Sequence, residues 1–137
     1  MGEPEMAKLQ RFEHINLSCQ DIDASKSFYE TLFPDWYVRA ENQEGSDRWM
    51  HIGNDQFYLA LNHNPNHKRV HEIYENIGVN HVGFVIDNGE MMKTNLAKNG
   101  IEYYTMTAPE TKHRIYVTDP DGNEIELVEY NPDYSLR

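Results

Sequence analysis

The chain has 137 residues, enough for one domain with a substantial hydrophobic core. Its 23 acidic and 12 basic side chains give a formal charge of -11, and such a surface repels nucleic acid and anionic membranes. No apolar run approaches the ~20 residues of a membrane helix, the acidic N-terminus carries no secretion signal, and Cys19 is the single cysteine, so we expect a cytoplasmic protein.

Two segments of the chain, residues 12–33 and 79–99, have the same pattern. Each begins with alternating apolar and polar residues, continues through a polar break and ends in a helical pattern. Placing His14 over His81 aligns the segments, and the two helices then follow in register. Such a repeat indicates two supersecondary units that share a core, because neither unit covers its own sheet alone.

Each repeat continues from its helix into three strand-like runs, which gives the order βαβββ. The first helix is predicted at Asp21–Phe33, with Asp21 or Asp23 as its N-cap, and the second at roughly Gly89–Asn99, with Asn88 before it as the N-cap. The strand-like runs after the helices are residues 36–40, 48–52 and 56–62 in the first repeat, and 101–106, 113–118 and 123–130 in the second.

We therefore expect a single domain of the α+β class over residues 1–137. Its two βαβββ repeats, about 11–62 and about 79–130, would form a curved mixed sheet around a cleft, with the helices on the outer face. The linker, residues 63–78, is predicted to be a loop with one short helix around Arg69–Glu75.

Alternation assigns the residues of each strand to two faces of the sheet. One face is apolar in every strand with clear alternation and is expected to lie against the helices. The opposite face carries His14 and His81, which begin equivalent strands, and Glu126 on the last strand. Two imidazoles and one carboxylate leave coordination positions open on a divalent metal ion. This face is therefore either a metal site in a cleft or a solvated surface with two strand-edge histidines.

The last strand, in the segment TDPDGNEIELVEY, contains three glutamates. Ile125 and Leu127 belong to the apolar face, which directs Glu126 into the cleft. Glu124 shares the face of Glu126 but lies nearer the turn, where we expect a solvated side chain. Glu129 lies at the end of the strand, where the apolar face is expected to open to water.

The segments HINLSCQDIDASKSFYETLF, NHVGFVID and YVTDPDGNEIEL resemble the vicinal oxygen chelate superfamily. This superfamily comprises glyoxalase I, fosfomycin resistance proteins, extradiol dioxygenases and bleomycin resistance proteins, and the resemblance covers about residues 11–130. It implies that His14, His81 and Glu126 bind a divalent metal ion, with iron, zinc, nickel and manganese as the alternatives. It also implies that Tyr116 hydrogen-bonds a substrate oxygen on that metal.

The resemblance to glyoxalase I is incomplete, because that enzyme uses a fourth metal ligand, a glutamate on the fourth strand. Matching GNDQFYLAL to DGNEIELVE places Tyr58 at this position, and a neutral phenol is a poor metal ligand, whereas Gln56 on the same face could reach the metal through a water molecule. A site with three ligands is similar to those of fosfomycin resistance proteins and extradiol dioxygenases. Tyr58, His51, Trp49 and Arg114 are instead expected to contact the substrate; the alternative for Trp49 and His51 is packing at the cleft rim.

The resemblance implies a metal-dependent enzyme that acts on a small oxygenated substrate by lyase or isomerase, dioxygenase or transferase chemistry. The alternative is a protein of the bleomycin-resistance type, which binds an antibiotic without turnover. No phosphate-binding loop or dinucleotide motif appears, so a nucleotide cofactor is not expected. Many relatives pair their half-units across chains, and an open sheet edge favours such pairing, so we expect a homodimer.

Overall fold

The structure is a computed structural model that describes residues 2, 5–42 and 47–134. Within these residues, two helices and eight strands follow the order predicted from the sequence. Neither helix in these ranges is long and apolar enough to cross a membrane. In chain order the elements are β1 (His14–Cys19), α1 (Ile22–Leu32), β2 (Tyr37–Asn42), β3 (Trp49–Gly53), β4 (Tyr58–His63), β5 (His81–Val85), α2 (Gly89–Lys98), β6 (Tyr104–Thr105), β7 (Thr111–Thr118) and β8 (Glu124–Tyr130).

The strands form two four-stranded mixed sheets that do not close on each other. Their strand orders, β1-β4-β3-β2 and β5-β8-β7-β6, are equivalent under the repeat. In the first sheet β1 pairs in parallel with β4, and in the second sheet β5 pairs in parallel with β8. All other neighbouring strands are antiparallel. The predicted α+β fold of two βαβββ units is therefore confirmed, and β1 and β5 are sheet edges.

The first helix begins after Asp21, one of its two candidate caps, and the second begins after the predicted cap Asn88. The Asp21 side chain accepts hydrogen bonds from the backbone amides of Asp23 and Ala24, at 3.1 and 3.3 Å. The Asn88 side chain accepts one from the amide of Met91 at 3.1 Å. These bonds satisfy amides that the first turn of a helix leaves unpaired, and so they fix the point at which each helix begins.

The apolar faces of the two sheets and the two helices form one hydrophobic core. The ring of Phe84 connects the units, because it contacts Phe33, Trp36 and Phe57 at centroid distances of 5.1, 5.8 and 5.4 Å. The assignment of strand faces from alternation is confirmed. The residues assigned to the apolar face lie in or against the core: Ile15, Leu17, Phe57, Leu59, Leu61, Val82, Phe84, Ile115, Val117, Ile125 and Leu127.

The predicted short helix around Arg69–Glu75 is wrong, because this part of the linker forms only a turn at residues 73–75. Tyr74 adopts a φ of 66°, in the left-handed region, and a right-handed helix cannot continue through such a residue. The amide of Asn76 closes the turn by donating to the carbonyl of Glu72 at 2.9 Å.

The strand predicted at residues 101–106 is reduced to the two residues of β6. Ile101, the first residue of the predicted strand, is bonded instead to the last turn of α2, because its amide donates to the carbonyl of Leu96 at 2.9 Å. Gly100, with a φ of 68°, reverses the chain at this point, as glycines commonly do after a helix.

A buried carboxylate links the turn before β8 to the first helix. Asp119, 5% exposed, accepts hydrogen bonds from the amides of Asp121 and Asn123, both at 2.9 Å. It also accepts one from the Tyr29 hydroxyl of α1 at 2.6 Å. Burial and then the charge of Asp119 raise the pKa of Tyr29 well above its usual value, so the phenol remains a donor. Gly122, with a φ of 87°, closes the turn.

We expect the substitution Tyr29→Phe to lower the free energy of unfolding by about 1–3 kcal/mol, because a buried carboxylate loses a donor that no water can replace. Urea denaturation of the wild type and the variant measures the difference. The control is Tyr103→Phe, which removes a hydroxyl from a side chain that is 39% exposed and should change stability by less than about 0.5 kcal/mol. Equal effects of the two substitutions would contradict this account of the turn.

Candidate metal-binding site

His81 on β5 and Glu126 on β8 lie side by side on the face opposite the helices. The distance from His81 Nε2 to Glu126 Oε2 is 3.0 Å. Two ligand atoms about 2.1 Å from one ion are about 3 Å apart when they subtend a right angle at it, so these two atoms could share a metal ion. Gly83 pairs with Glu126 across the two strands, and the space that its side chain would occupy is open.

The other oxygen of Glu126 is held by β7. Arg114 Nε donates to Glu126 Oε1 at 3.0 Å, and this hydrogen bond raises the pKa of Arg114. Tyr116 lies opposite Glu126 in the β7–β8 pairing and is 6% exposed. Burial and then the charge of Glu126 raise the pKa of Tyr116. Arg114 therefore orients the carboxylate, and Tyr116 keeps a protonated hydroxyl beside it.

Three further residues of the site were not predicted from the sequence: Glu124, Tyr74 and Tyr104. Glu124 is 5% exposed, so its prediction as a solvated side chain is wrong. It accepts hydrogen bonds from the hydroxyls of Tyr74 and Tyr104, at 2.5 and 2.7 Å. The Tyr74 oxygen is also 2.9 Å from His81 Nδ1. These bonds give a buried charge the donors that it needs.

The contacts of Glu124 change the pKa values of both phenols. The hydrogen bond to Glu124 is the main cause that raises the pKa of Tyr74 to about 12. Burial, followed by the hydrogen bond to Glu124, raises the pKa of Tyr104. The sequence did indicate that Glu124 could belong to the site, because alternation places it on the same face as Glu126. Tyr74 had no such signal, because its position depends on the conformation of the linker.

His14, the third predicted ligand, lies on β1 in the other sheet. Its Nδ1 is 2.8 Å from Glu13 Oε1, and its ring stacks on Tyr58 at 4.8 Å. Within the described ranges, no hydrogen bond or ion pair joins His14 to His81 or Glu126. Nor does this part of the chain bring three His, Cys, Asp or Glu side chains close enough to hold a metal ion. One chain therefore brings together two of the three predicted ligands.

Three of the predicted substrate contacts, Trp49, His51 and Tyr58, form an aromatic cluster on the same sheet as His14. The ring of His51 contacts Trp49 at 4.9 Å and stacks on Tyr58 at 4.6 Å. The guanidinium of Arg39 lies 4.5 Å above the Tyr58 ring. Burial, followed by the neighbouring His14 and Arg39, lowers the pKa of His51.

Matching GNDQFYLAL to DGNEIELVE made Tyr58 the equivalent of Glu126, and this alignment is wrong by two residues. In the β1–β4 pairing Tyr58 lies opposite His14, and in the β5–β8 pairing Glu124 lies opposite the equivalent histidine. Tyr58 therefore corresponds to Glu124, and Ala60 corresponds to Glu126. Alternation identified the correct face, but it does not determine the position along the strand. Since Ala60 has no donor atom, β4 offers no ligand at the position of the fourth ligand.

The sequence matches the model of the Glyoxalase/Bleomycin resistance protein/Dioxygenase superfamily over residues 11–127. The chain belongs to this superfamily. No curated protein sequence matches the chain. The resemblance inferred from the sequence motifs is thus confirmed, and the superfamily includes lyases, fosfomycin-modifying enzymes and proteins that use divalent metal ions.

Solved structures of superfamily members share the fold at low sequence identity. A glyoxalase family protein from Enterococcus faecalis is 25% identical, with a TM-score of 0.69 over 89% of this chain and 98% of that chain. Lactoylglutathione lyase from Agrobacterium tumefaciens is 19% identical, with a TM-score of 0.64 over 90% and 96%. The fosfomycin resistance protein FosX from Listeria monocytogenes, solved as a mutant with Mn(II) and 1S,2S-dihydroxypropylphosphonic acid, is 14% identical, with a TM-score of 0.73 over 92% and 96%.

The raised pKa of Tyr74 predicts that Tyr74→Phe leaves the phenolate absorbance change between about pH 9 and about pH 11 unaltered. An ordinary phenol, with a pKa of about 10, would ionise in that range, whereas Tyr74 keeps its proton until about pH 12. Spectrophotometric titration of both proteins measures this. A smaller absorbance rise in the variant over that range would contradict the hydrogen bond to Glu124. By linkage, the stability that this bond contributes is complete below about pH 10 and is lost as the pH rises through about 12.

Proposed function

We propose that the protein is a metal-dependent enzyme that acts on a small oxygenated substrate through a divalent ion held by His14, His81 and Glu126. The observation that carries the proposal is the distance of 3.0 Å between His81 Nε2 and Glu126 Oε2. The remaining polar atom of each side chain contacts another residue, so Nε2 and Oε2, which face each other, are the atoms that could bind the ion. A bound ion would act as a Lewis acid and stabilise negative charge on a chelated substrate.

The other residues of the site would bind and orient the substrate. Arg114 holds the Glu126 carboxylate in one orientation and offsets part of its charge. The Tyr116 hydroxyl would donate a hydrogen bond to a substrate oxygen, because burial and the nearby carboxylate keep it protonated. The aromatic cluster beside His14 would form an apolar wall against the rest of the substrate.

The reaction class depends on the metal ion and on the number of protein ligands. Ala60 at the fourth-ligand position disfavours a four-ligand site of the glyoxalase I type. A set of two imidazoles and one carboxylate suits oxygen-dependent chemistry with redox-active iron. With zinc, nickel or manganese, the same set suits lyase or transferase chemistry.

The third ligand, His14, would come from a second copy of the chain. Both β1 and β5 are unpaired sheet edges in the part of the chain that the structure describes. A homodimer that joins these edges would bury surface and bring His14 of one chain to His81 and Glu126 of the other.

Metal titration of the purified protein tests the proposed site. We expect the wild type to bind about one equivalent of Zn²⁺ or Mn²⁺ per chain, and Glu126→Gln to bind more than about 100-fold more weakly, because loss of a ligand costs more than loss of a supporting residue. The control is Glu129→Gln on the same strand, whose side chain accepts from the Gly89 amide at 2.8 Å instead of facing His81.

Calorimetry measures both affinities. Less than about a tenth of an equivalent bound to the wild type would contradict the proposed function, since a site with three protein ligands should fill at micromolar metal. Equal losses in Glu126→Gln and Glu129→Gln would show that the wrong glutamate has been assigned to the metal.

Mixing two inactive variants tests whether the site spans two chains. His14→Ala and Glu126→Gln homodimers each lack a ligand in both sites. After the two are unfolded and refolded together, half of the dimers are mixed, and each mixed dimer contains one intact site if the ligands come from different chains. We therefore expect about a quarter of the sites to bind metal. No recovery in a mixture whose dimers have exchanged would show that each site is built within one chain.

A second candidate function, binding of an antibiotic without turnover, is favoured by an apolar groove between the two units. The groove has a volume of about 760 Å³, within the range of small-molecule sites, and the rings of Phe33, Trp36, Phe57 and Phe84 line it. An aromatic antibiotic that changes the fluorescence of Trp36 equally in metal-free wild type and in Glu126→Gln would support this function.

A further inference from the structure

We propose that Tyr74 and Glu124 are positioning residues, which hold His81 with its proton on Nδ1 and so present Nε2 to the metal ion. This inference rests on the proposed function, because it concerns the orientation of one proposed ligand. It adds a residue from the linker between the repeats, Tyr74, and assigns a role to the second buried glutamate of β8.

The direction of the hydrogen bonds follows from the number of protons available. The Tyr74 hydroxyl has one proton, which it donates to Glu124 Oε1 at 2.5 Å. The other oxygen of Glu124 accepts the proton of Tyr104 at 2.7 Å, so this carboxyl group is an acceptor on both sides. The contact of 2.9 Å between the Tyr74 oxygen and His81 Nδ1 then needs a proton from the imidazole. His81 therefore carries a hydrogen on Nδ1.

This assignment leaves the other ring nitrogen for the metal. Metal-binding histidines almost always donate their second ring N–H to an acceptor, and that bond fixes the tautomer and the orientation of the ring. In His81 the Nδ1 hydrogen bonds to Tyr74, and Nε2 faces Glu126 Oε2 at 3.0 Å.

Tyr74 is the necessary link in this chain of bonds. The direct distance from His81 Nδ1 to Glu124 Oε1 is 3.6 Å, which is too long for a hydrogen bond. Glu124 therefore acts on the imidazole through the phenol. Removal of the Tyr74 hydroxyl should release the imidazole and leave Glu124 with its bond from Tyr104.

The backbone of the linker is arranged to place this phenol. Among the described residues, Tyr74 is the one residue other than glycine with a positive φ, 66°. Its amide donates to Asn80 Oδ1 at 2.7 Å, and the amide of Glu72 donates to Asn76 Oδ1 at 2.6 Å, so the turn is held on both sides. A bulky residue kept in this sparsely populated region indicates a functional constraint, and the contact with His81 provides one.

The experiment is two-dimensional NMR of metal-free protein labelled with ¹⁵N histidine, which reports the protonated nitrogen of each ring. Spectra are recorded at mildly alkaline pH, and the His81 signals are assigned from a His81→Gln variant. The proteins are the wild type, Tyr74→Phe, Glu124→Gln and, as a matched control, Tyr103→Phe. Zn²⁺ affinity is measured on the same samples against a competing chelator.

We expect wild-type His81 to be protonated on Nδ1, and Tyr74→Phe and Glu124→Gln to give a mixture of tautomers with Zn²⁺ binding weakened about 10- to 100-fold. Tyr103→Phe should change neither measurement. Absence of the proton from Nδ1 of wild-type His81 would overturn the inference whether or not the protein binds metal. An unchanged tautomer and affinity in Tyr74→Phe would also overturn it. A wild type that binds no Zn²⁺ would contradict the proposed function, while the NMR spectra would still decide the role of Tyr74.

Discussion

The buried carboxylate of Asp119 joins the two halves of the molecule at the turn before β8. Its oxygens accept hydrogen bonds from two amides of the turn, from the Asn123 side chain and from the Tyr29 hydroxyl of α1. Asp121 in the same turn accepts hydrogen bonds from the amide of Gln20 and the hydroxyl of Ser25, at 3.0 and 3.2 Å. These contacts fix where β8 begins relative to the first helix. The register of β8 then determines which of its side chains enter the core and which reach the site.

The two glutamates that β8 places on the site face have different surroundings and therefore different roles. Glu126 has one oxygen bonded to Arg114 and the other beside His81 Nε2, so it keeps a donor atom for a metal ion. Glu124 has both oxygens bonded to phenols, so it can only support its neighbours. The imidazole of His81 lies between them. In the proposed function, two residues of the same type, two positions apart, would thus serve as ligand and support.

The features that the sequence predicted correctly depend on short-range rules. Alternation placed Ile125 and Leu127 in the core, and the caps Asp21 and Asn88 marked where the helices begin, because side-chain direction and first-turn hydrogen bonds involve only a few neighbouring residues. The alignment of Tyr58 with Glu126 was wrong because the position of a residue along its strand depends on the pairing with the partner strand, which alternation does not determine. The burial of Glu124 was not predicted, because its donors come from distant parts of the chain.

Tyr74 illustrates the same limit for the linker. Its contact with His81 requires a left-handed backbone conformation that no local pattern of residues indicated. The repeat identified His14 and His81 as equivalent residues, but equivalence in sequence does not determine whether two residues meet in one chain or across two. The structure separates them within one chain, which makes the dimer central to the proposed function.

Anomalous diffraction from crystals soaked with Mn²⁺ is the most direct measurement of that function. We expect one strong peak within bonding distance of His81 Nε2 and Glu126 Oε2 of one chain and of His14 of the partner subunit. A peak bound by other residues, or the absence of a peak in crystals that leave this face open to solvent, would contradict it.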